Sequence, residues 1–346
     1  MANPLLVEIT RGGIVESGHR GALAVVDSEG RLVFALGDIE RPIFPRSAVK
    51  GFQALPLIES GAADRFGLTD AELALACASH SGEEEHTKTA ASMLAKAGRD
   101  ETCLECGAHW PMLNQRAREA KGPNGDQALQ ALVAAGLKPS ALHNNCSGKH
   151  AGFVCLAIAM GHDPKGYIQP EHPTMREITA ALQAMTGYNL SDATPGVDGC
   201  SIPTFAIPLR SLAAGFAKFA SGTGLSPARA EAVERLRKAV AAAPFHVAGT
   251  GRFDTVVMET LRERAFIKTG AEGVYCGALP ELGLGIALKI DDGATRASEI
   301  AMAALLTRFL ALGSEAKVVT ERLDHRMANW NGIEVGRMRP VAALRG

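Results

Sequence analysis

Residues 265–290 read AFIKTGAEGVYCGALPELGLGIALKI, and the fold depends on how this stretch is divided. Three short apolar runs, AFIKTG, GVYCGAL and LGIALKI, are separated by Gly-rich or Pro-containing turns, the pattern of successive antiparallel strands. After them, residues 294–313 (ATRASEIAMAALLTRFLALG) predict a long helix with a wide apolar face that needs a sheet to cover. Further upstream, residues 20–38 hold two apolar runs around Asp27-Ser28-Glu29-Gly30, which predicts a β-hairpin. The late segment NWNGIEVGRMRPV predicts one more short strand, returning beside the early run LLVEITR.

Between these parts the period is helical. Ala-rich segments at 69–78, 85–97, 126–136, 174–186 and 228–243 are broken by Gly, Pro and Asn clusters. Ser47 is expected to cap a helix over SAVKGFQALPLIESGAA, which Pro56 shortens or kinks. The order of hairpin, helical block, strands and long helix predicts an α/β (α+β) fold, an antiparallel sheet flanked by helices. Residues 1–46 and 262–346 would form the sheet and 47–261 an inserted all-helical subdomain, in one structural domain overall.

Composition narrows the partners. With 36 Lys plus Arg against 37 Asp plus Glu, the formal charge of -1 supplies no field for nucleic acid or an anionic membrane, so a small-molecule substrate is expected. No apolar run approaches the ~20 residues of a membrane helix, and the N-terminus lacks a basic segment followed by a long apolar one. A cytoplasmic protein is therefore expected. Seven cysteines suit free thiols better than a disulfide framework, and the lone pair Cys103 and Cys106 has no second pair to complete a zinc ribbon.

The chemistry begins at Ser47-Ala48-Val49-Lys50, where a hydroxyl and an amine three residues apart share one face of a helix. A serine needs a base to become a nucleophile, and a lysine serves only when burial or a neighbouring cation favours its neutral form. Alone, S-x-x-K recurs by chance. Lys268-Thr269-Gly270 on the first predicted strand is the second element, in the order and context that serine β-lactamases and penicillin-binding proteins use. No S-D-N follows, since residues 191–193 are Ser-Asp-Ala.

Three further clusters are polar beside apolar elements. In Ala78–His86, Ser81 with Glu84 fits a capping box, which leaves Ser79 over, while His80 and His86 lack the spacing of a metal motif and are expected to be surface or capping histidines. The run His143–His150 (HNNCSGKH) precedes an apolar helix and suggests a pocket wall containing Asn145. Gly196–Pro203 is a glycine-rich turn expected to expose Asp198 and Cys200. In 246–254, a G-x-G without a preceding strand argues against a nucleotide site, and Arg252 is either a contact to the substrate α-carboxylate or a surface ion pair with Asp254 or another residue.

The runs FPRSAVKGFQALP, CASHSGEEEH, HNNCSGKHAG, GVDGCSIPTFAIPL and KTGAEGVY, taken in order, resemble the rhizobial-type, asparaginase II-like family of L-asparaginases. That resemblance implies a β-lactamase-like or penicillin-binding-protein-like fold, hydrolysis of L-asparagine to L-aspartate and ammonia, and a homodimer. It implies two catalytic serine-lysine pairs, Ser47 with Lys50 and Ser79 with Lys268, meeting in one cleft. It also implies zinc on Cys146, Lys149 and Cys200, with Asp198 beside it, near the cleft but not generating the nucleophile. Asp198, His80, Arg252 and Asn145 are the expected substrate contacts. Which serine attacks stays open. So do a glutaminase, a penicillin-recognising hydrolase and a catalytically silent amide- or metal-binding protein.

Overall fold

A computed structural model describes residues 2–113 and 125–345. Its strands, in chain order, are Leu5–Arg11 (β1), Ile14–Val26 (β2), Leu32–Leu36 (β3), Pro42–Ile43 (β4), Pro195–Val197 (β5) and Pro203–Phe205 (β6). They continue with Ile207–Pro208 (β7), Phe266–Thr269 (β8), Val274–Leu279 (β9), Leu284–Ile290 (β10), His325–Ala328 (β11) and Glu334–Pro340 (β12). The chain divides into two compact units. Met1–Ala48, Ile207–Ser221 and Ile267–Gly346 form a sheet unit, and Val49–Ala206 with Gly222–Phe266 form a helical unit.

In the sheet unit the strands run in the order β11-β12-β1-β2-β10-β9-β8, with β3 also paired to β2. The expected hairpin is present, with Val25 opposite Phe34, and the late strand does return beside β1, with Val7 opposite Pro340. Both pairings are antiparallel, as is β10 on β2 and on β9. Ala22 to Val26 are all buried, as are all six residues of β9. Successive strand side chains point to opposite faces, so unbroken burial means both faces of the central sheet are covered.

Two helices provide that cover. Thr295–Phe309 is the predicted long helix, and it packs on β1, β9, β10 and β12. Leu209–Ser221 packs on β2, β9 and β10. It approaches β10 so closely that a Cβ on Gly285 would lie 2.0 Å from the Ala213 carbonyl oxygen and 2.1 Å from the Ala217 nitrogen. This second helix corrects the expected boundaries, because residues 207–221 fall inside the segment read as helical insertion but belong to the sheet unit. Its apolar stripe (Leu209, Leu212, Ala213, Phe216) says that it must be buried, not which surface buries it.

The helical unit is built from Asp70–Ala76, Glu84–Lys96, Gly125–Ala134, Ser147–Ala159, Pro173–Thr186, Pro227–Ala242 and Phe253–Leu261, among shorter turns. It is not all-helical, since β5 and β6 form a small antiparallel pair within it. Pro56 acts as expected, ending Lys50–Gln53 and starting Leu55–Glu59. Gly148 lets Ser147–Ala159 close on Asp70–Ala76, since a Cβ there would meet Leu75 Cγ at 2.3 Å. Among the described residues no helix is long and apolar enough to cross a membrane.

Candidate active site

In the sheet unit, Ser47 lies inside a 3-10 turn, Arg46–Val49, instead of capping a helix as expected; the helix proper starts at Lys50. The turn is tight: Ala48 N donates to Pro45 O at 3.1 Å, and Arg46 sits at φ 51, a costly conformation for a side-chain-bearing residue. In a 3-10 turn, residues three apart eclipse. Strand β8 ends against this turn, because a Cβ on Gly270 would stand 2.6 Å from Pro45 O and 3.3 Å from Ala48 Cβ. The glycine of the K-T-G element is thus required by close approach of the Ser47 turn. Lys268, on β8, is fully buried and donates to Thr269 O at 2.9 Å. Burial pushes the Cys276 thiol on neighbouring β9 up, against the pull of the Lys268 charge.

In the helical unit, two buried lysines meet two buried thiols. Lys50 Nζ donates to Ala78 O at 2.6 Å and to Cys146 Sγ at 3.0 Å. Lys149 Nζ donates to Cys200 Sγ at 3.0 Å. A hydrogen bond from the Cys200 thiol, with the charges of Lys50 and Lys149, overcomes burial and holds Cys146 well below the ordinary thiol range. Cys200 is the proton-bearing partner, pushed up by that same hydrogen bond and by burial. Burial opposes the Lys149 ammonium, but the sulfurs of Cys200 and Cys146 outweigh it and raise its pKa above the usual lysine range. Two sulfurs and two buried amines are thus held together by mutual hydrogen bonds.

Ser79 is held from three sides. Its N–H donates to Val247 O at 2.9 Å, its carbonyl accepts from Arg252 Nη1 at 2.8 Å, and its Oγ accepts from Asn145 Nδ2 at 3.1 Å. The Arg252 guanidinium is thereby tied to the backbone of Ser79. His80 is fully buried, with Nδ1 accepting from Gly82 N at 3.1 Å and Nε2 standing 3.0 Å from Ser147 Oγ. Both ring nitrogens are thus engaged within the fold. Asp198 is half-buried and accepts from Gly199 N at 2.6 Å, in a turn that places Ser201 at φ 76. Cys200, expected to be exposed, is 3% exposed.

Cys146, Lys149 and Cys200 lie together in this cluster. Among the described residues no group of three His, Cys, Asp or Glu side chains is placed to hold a metal, so zinc here depends on the lysine. Ligands about 2.0 Å (N) and 2.3 Å (S) from a tetrahedral zinc lie about 3.5 Å apart. The 3.0 Å Lys149–Cys200 contact is slightly closer, so the set fits after a small opening and loss of protons from Cys200 and Lys149. It leaves one coordination position for another donor.

Sequence reasoning missed three contributors. Cys106, dismissed with its C-x-x-C, is buried beside this cluster, and its thiol is pushed up to about 12 by burial and the nearby Cys146. Glu83 rather than Ser81 caps Glu84–Lys96, in a reciprocal box with His86. Thr250 is bound by Glu83. Nothing in the local pattern marked the Glu83–Thr250 contact, because the two residues lie 167 positions apart.

A comparison with curated proteins found no match. Solved structures that the chain resembles include Mglu in its native form, at 16% identity and TM-score 0.38, covering 85% of this chain and 63% of that one. The chain thus spans less than two thirds of the length of Mglu. Others are a putative beta-lactamase from Bacteroides dorei (14% identity, 78% and 84% covered, TM-score 0.36) and a beta-lactamase from Mycobacterium bovis (15%, 80% and 89%, 0.35). The sequence profile of the family described as L-asparaginase II matches residues 7–340, a span that includes the Ser47 turn, the Ser79 segment, the thiol-lysine cluster and Lys268. The chain belongs to the L-asparaginase II family.

Proposed function

We propose that the protein hydrolyses L-asparagine to L-aspartate and ammonia through a serine nucleophile with a lysine as base. Beyond family membership, the observation that carries this reading is the burial of three lysines, with Lys50 and Lys149 1% exposed and Lys268 0% exposed. Lysine is almost never fully buried unless paired, because an ammonium loses several kcal/mol of hydration there. Three such residues, two of them in the S-x-x-K and K-T-G elements, contribute little to packing that an apolar residue would not supply better. A catalytic demand for buried amines accounts for them.

The roles are assigned residue by residue. Ser47 Oγ attacks the side-chain amide carbon while Lys50 accepts the hydroxyl proton, and collapse of the tetrahedral intermediate returns a proton to the leaving nitrogen as ammonia departs. Water then attacks the resulting ester and restores Ser47 as aspartate leaves. The family resemblance gives Ser79 and Lys268 catalytic roles as well, and Arg252, Asn145 and Asp198 are the substrate contacts. Zinc, held by Cys146, Cys200 and a neutral Lys149, would add fixed positive charge that orders the pocket wall. A homodimer in the reducing cytoplasm, where the seven thiols stay free, completes the reading.

Ammonia release from L-asparagine, compared with L-glutamine and with nitrocefin colour change, tests it. Release from asparagine is expected to dominate. Turnover of glutamine or nitrocefin in its place overturns the substrate assignment, and no release from any amide by folded, zinc-loaded protein overturns the enzyme.

A further inference from the structure

Glu83 has no part in the roles above, yet both of its carboxylate oxygens are engaged. Oε1 accepts from Thr250 N at 2.8 Å and Oε2 from Thr250 Oγ1 at 2.7 Å. Glu83 is fixed in turn, since its N–H donates to His86 Nδ1 at 3.2 Å at the start of Glu84–Lys96. The two chain segments touch closely: Gly249 adopts φ 121, and a Cβ there would stand 2.6 Å from Glu83 Oε1, 3.0 Å from Ser81 Oγ and 3.1 Å from His86 Cε1.

The loop so clamped supports Ser79. Val247 O accepts from Ser79 N and Ala248 O from Ser81 N, both at 2.9 Å, and two residues beyond Thr250 the Arg252 guanidinium donates to Ser79 O. Both backbone polar groups of Ser79 are therefore satisfied by residues 247–252, and that loop is tied to the Ser79 segment at Thr250. A bidentate carboxylate clamp on this half-buried loop is stronger than neutral bonds of the same length, and loss of one end frees the loop between Gly249 and Gly251.

We propose that Glu83 is a positioning residue, whose two hydrogen bonds to Thr250 set the placement of Ser79 and of the Arg252 guanidinium that receives the substrate carboxylate. The substrate part of this rests on the functional reading above; the clamp does not.

The test is kinetic and structural at once. Thr250→Val removes one of the two bonds at nearly constant volume, and it is expected to raise KM for L-asparagine about tenfold, the effect of losing one charge-assisted bond, with a much smaller change in kcat. Glu83→Gln is expected to act in the same direction, and Thr250→Ser to restore the wild-type KM. In an Arg252→Ala background Thr250→Val is expected to add nothing, since both changes then act through one group. An unchanged KM, or the same rise with Arg252 already gone, overturns the proposal. Hydrogen exchange provides the arm that needs no substrate: the amides of Ser79 and Ser81 should exchange faster in Thr250→Val, and those of Ser147–Ala159 should not. Equal acceleration everywhere, or none at Ser79 and Ser81, sinks the clamp. A wild type that releases no ammonia from asparagine overturns the functional reading instead, and the exchange result still decides whether Glu83 positions the loop.

Discussion

A buried amine next to a buried sulfur is stable only while the two share charge. Lys50 donates to the Cys146 sulfur, and Cys200 to that same sulfur, so each polar atom of the cluster is satisfied by another member. Removing one leaves its partner buried and uncompensated, a loss of about 3–5 kcal/mol. Lys50→Met is therefore expected to lower stability by that order, read as a drop in the urea midpoint, as well as to abolish turnover. Lys50→Arg keeps a positive charge but is expected to be inactive at every pH, because a guanidinium does not deprotonate in the accessible range. Substantial activity of Lys50→Arg in a pH-rate profile would refute the lysine base. Ser47→Ala should remove turnover and leave the unfolding midpoint within ~0.5 kcal/mol of wild type, since a half-buried hydroxyl is lost without a large cavity. Activity near wild type in that variant would pass the nucleophile's role to Ser79. Cys146→Ser and Cys200→Ser should each lower zinc content after loading, measured by metal analysis, because thiolates are the strongest donors of the set. Of these residues, Ser47, Lys50, Lys268, Cys146 and Cys200 could all be named from sequence. Their mutual hydrogen bonds could not, since nothing in the chain order says that Lys50 meets Cys146, 96 residues away.

Elements in this chain are positioned as much by absent side chains as by present ones. Helix Leu209–Ser221 rests on β10 through Gly285, helix Ser147–Ala159 on Asp70–Ala76 through Gly148, and β8 meets the Ser47 turn through Gly270. Gly285→Ala places a methyl 2.0 Å from one backbone atom and 2.1 Å from another, and neither yields without moving the helix. A loss of about 3 kcal/mol or more is expected, at the upper end of overpacking effects, measured by urea unfolding. A variant within 1 kcal/mol of wild type, flagged by the same scale of overpacking costs, would mean that the helix is free to shift. Sequence periodicity anticipated most of these elements but failed at their neighbours. The glycine in LGIALKI was visible as a strand glycine, whereas the helix that requires it was not, because close approach is a property of two segments.

Several buried histidines couple the state of the whole chain to pH. His80 and His150 are fully buried and held well below the ordinary histidine range, chiefly by burial, and burial lowers His86 to about 4. His80, His86 and Phe245 are stacked, with ring centroids 4.8 Å and 4.5 Å apart, and His150 Nδ1 meets the Tyr167 hydroxyl at 2.6 Å. The folded protein keeps these rings neutral while the unfolded chain takes up protons below about 6.5. Stability is thus fully present above that pH and is lost as pH falls through the folded value, about 4 for His86. Each such histidine steepens the fall by up to ~1.4 kcal/mol per pH unit. The melting temperature should therefore drop between pH 7 and 5, and stability plotted against pH should show about three or more protons taken up on unfolding, since His143 and His246 are also held below the ordinary range, chiefly by burial. A flat profile would mean that these rings are not held neutral in the folded state. By itself the sequence determined the strands, most of the helices, the order of the sheet's first and last members and the serine-lysine elements, because period, turn chemistry and short spacings are local. Only the tertiary structure decided that residues 207–221 leave the helical segment for the sheet, that Glu83 grips Thr250, and that thiols and amines from three separate segments share protons. Those outcomes depend on burial and on contacts between distant residues, where the energy of a buried charge or a close backbone approach is set by its partner.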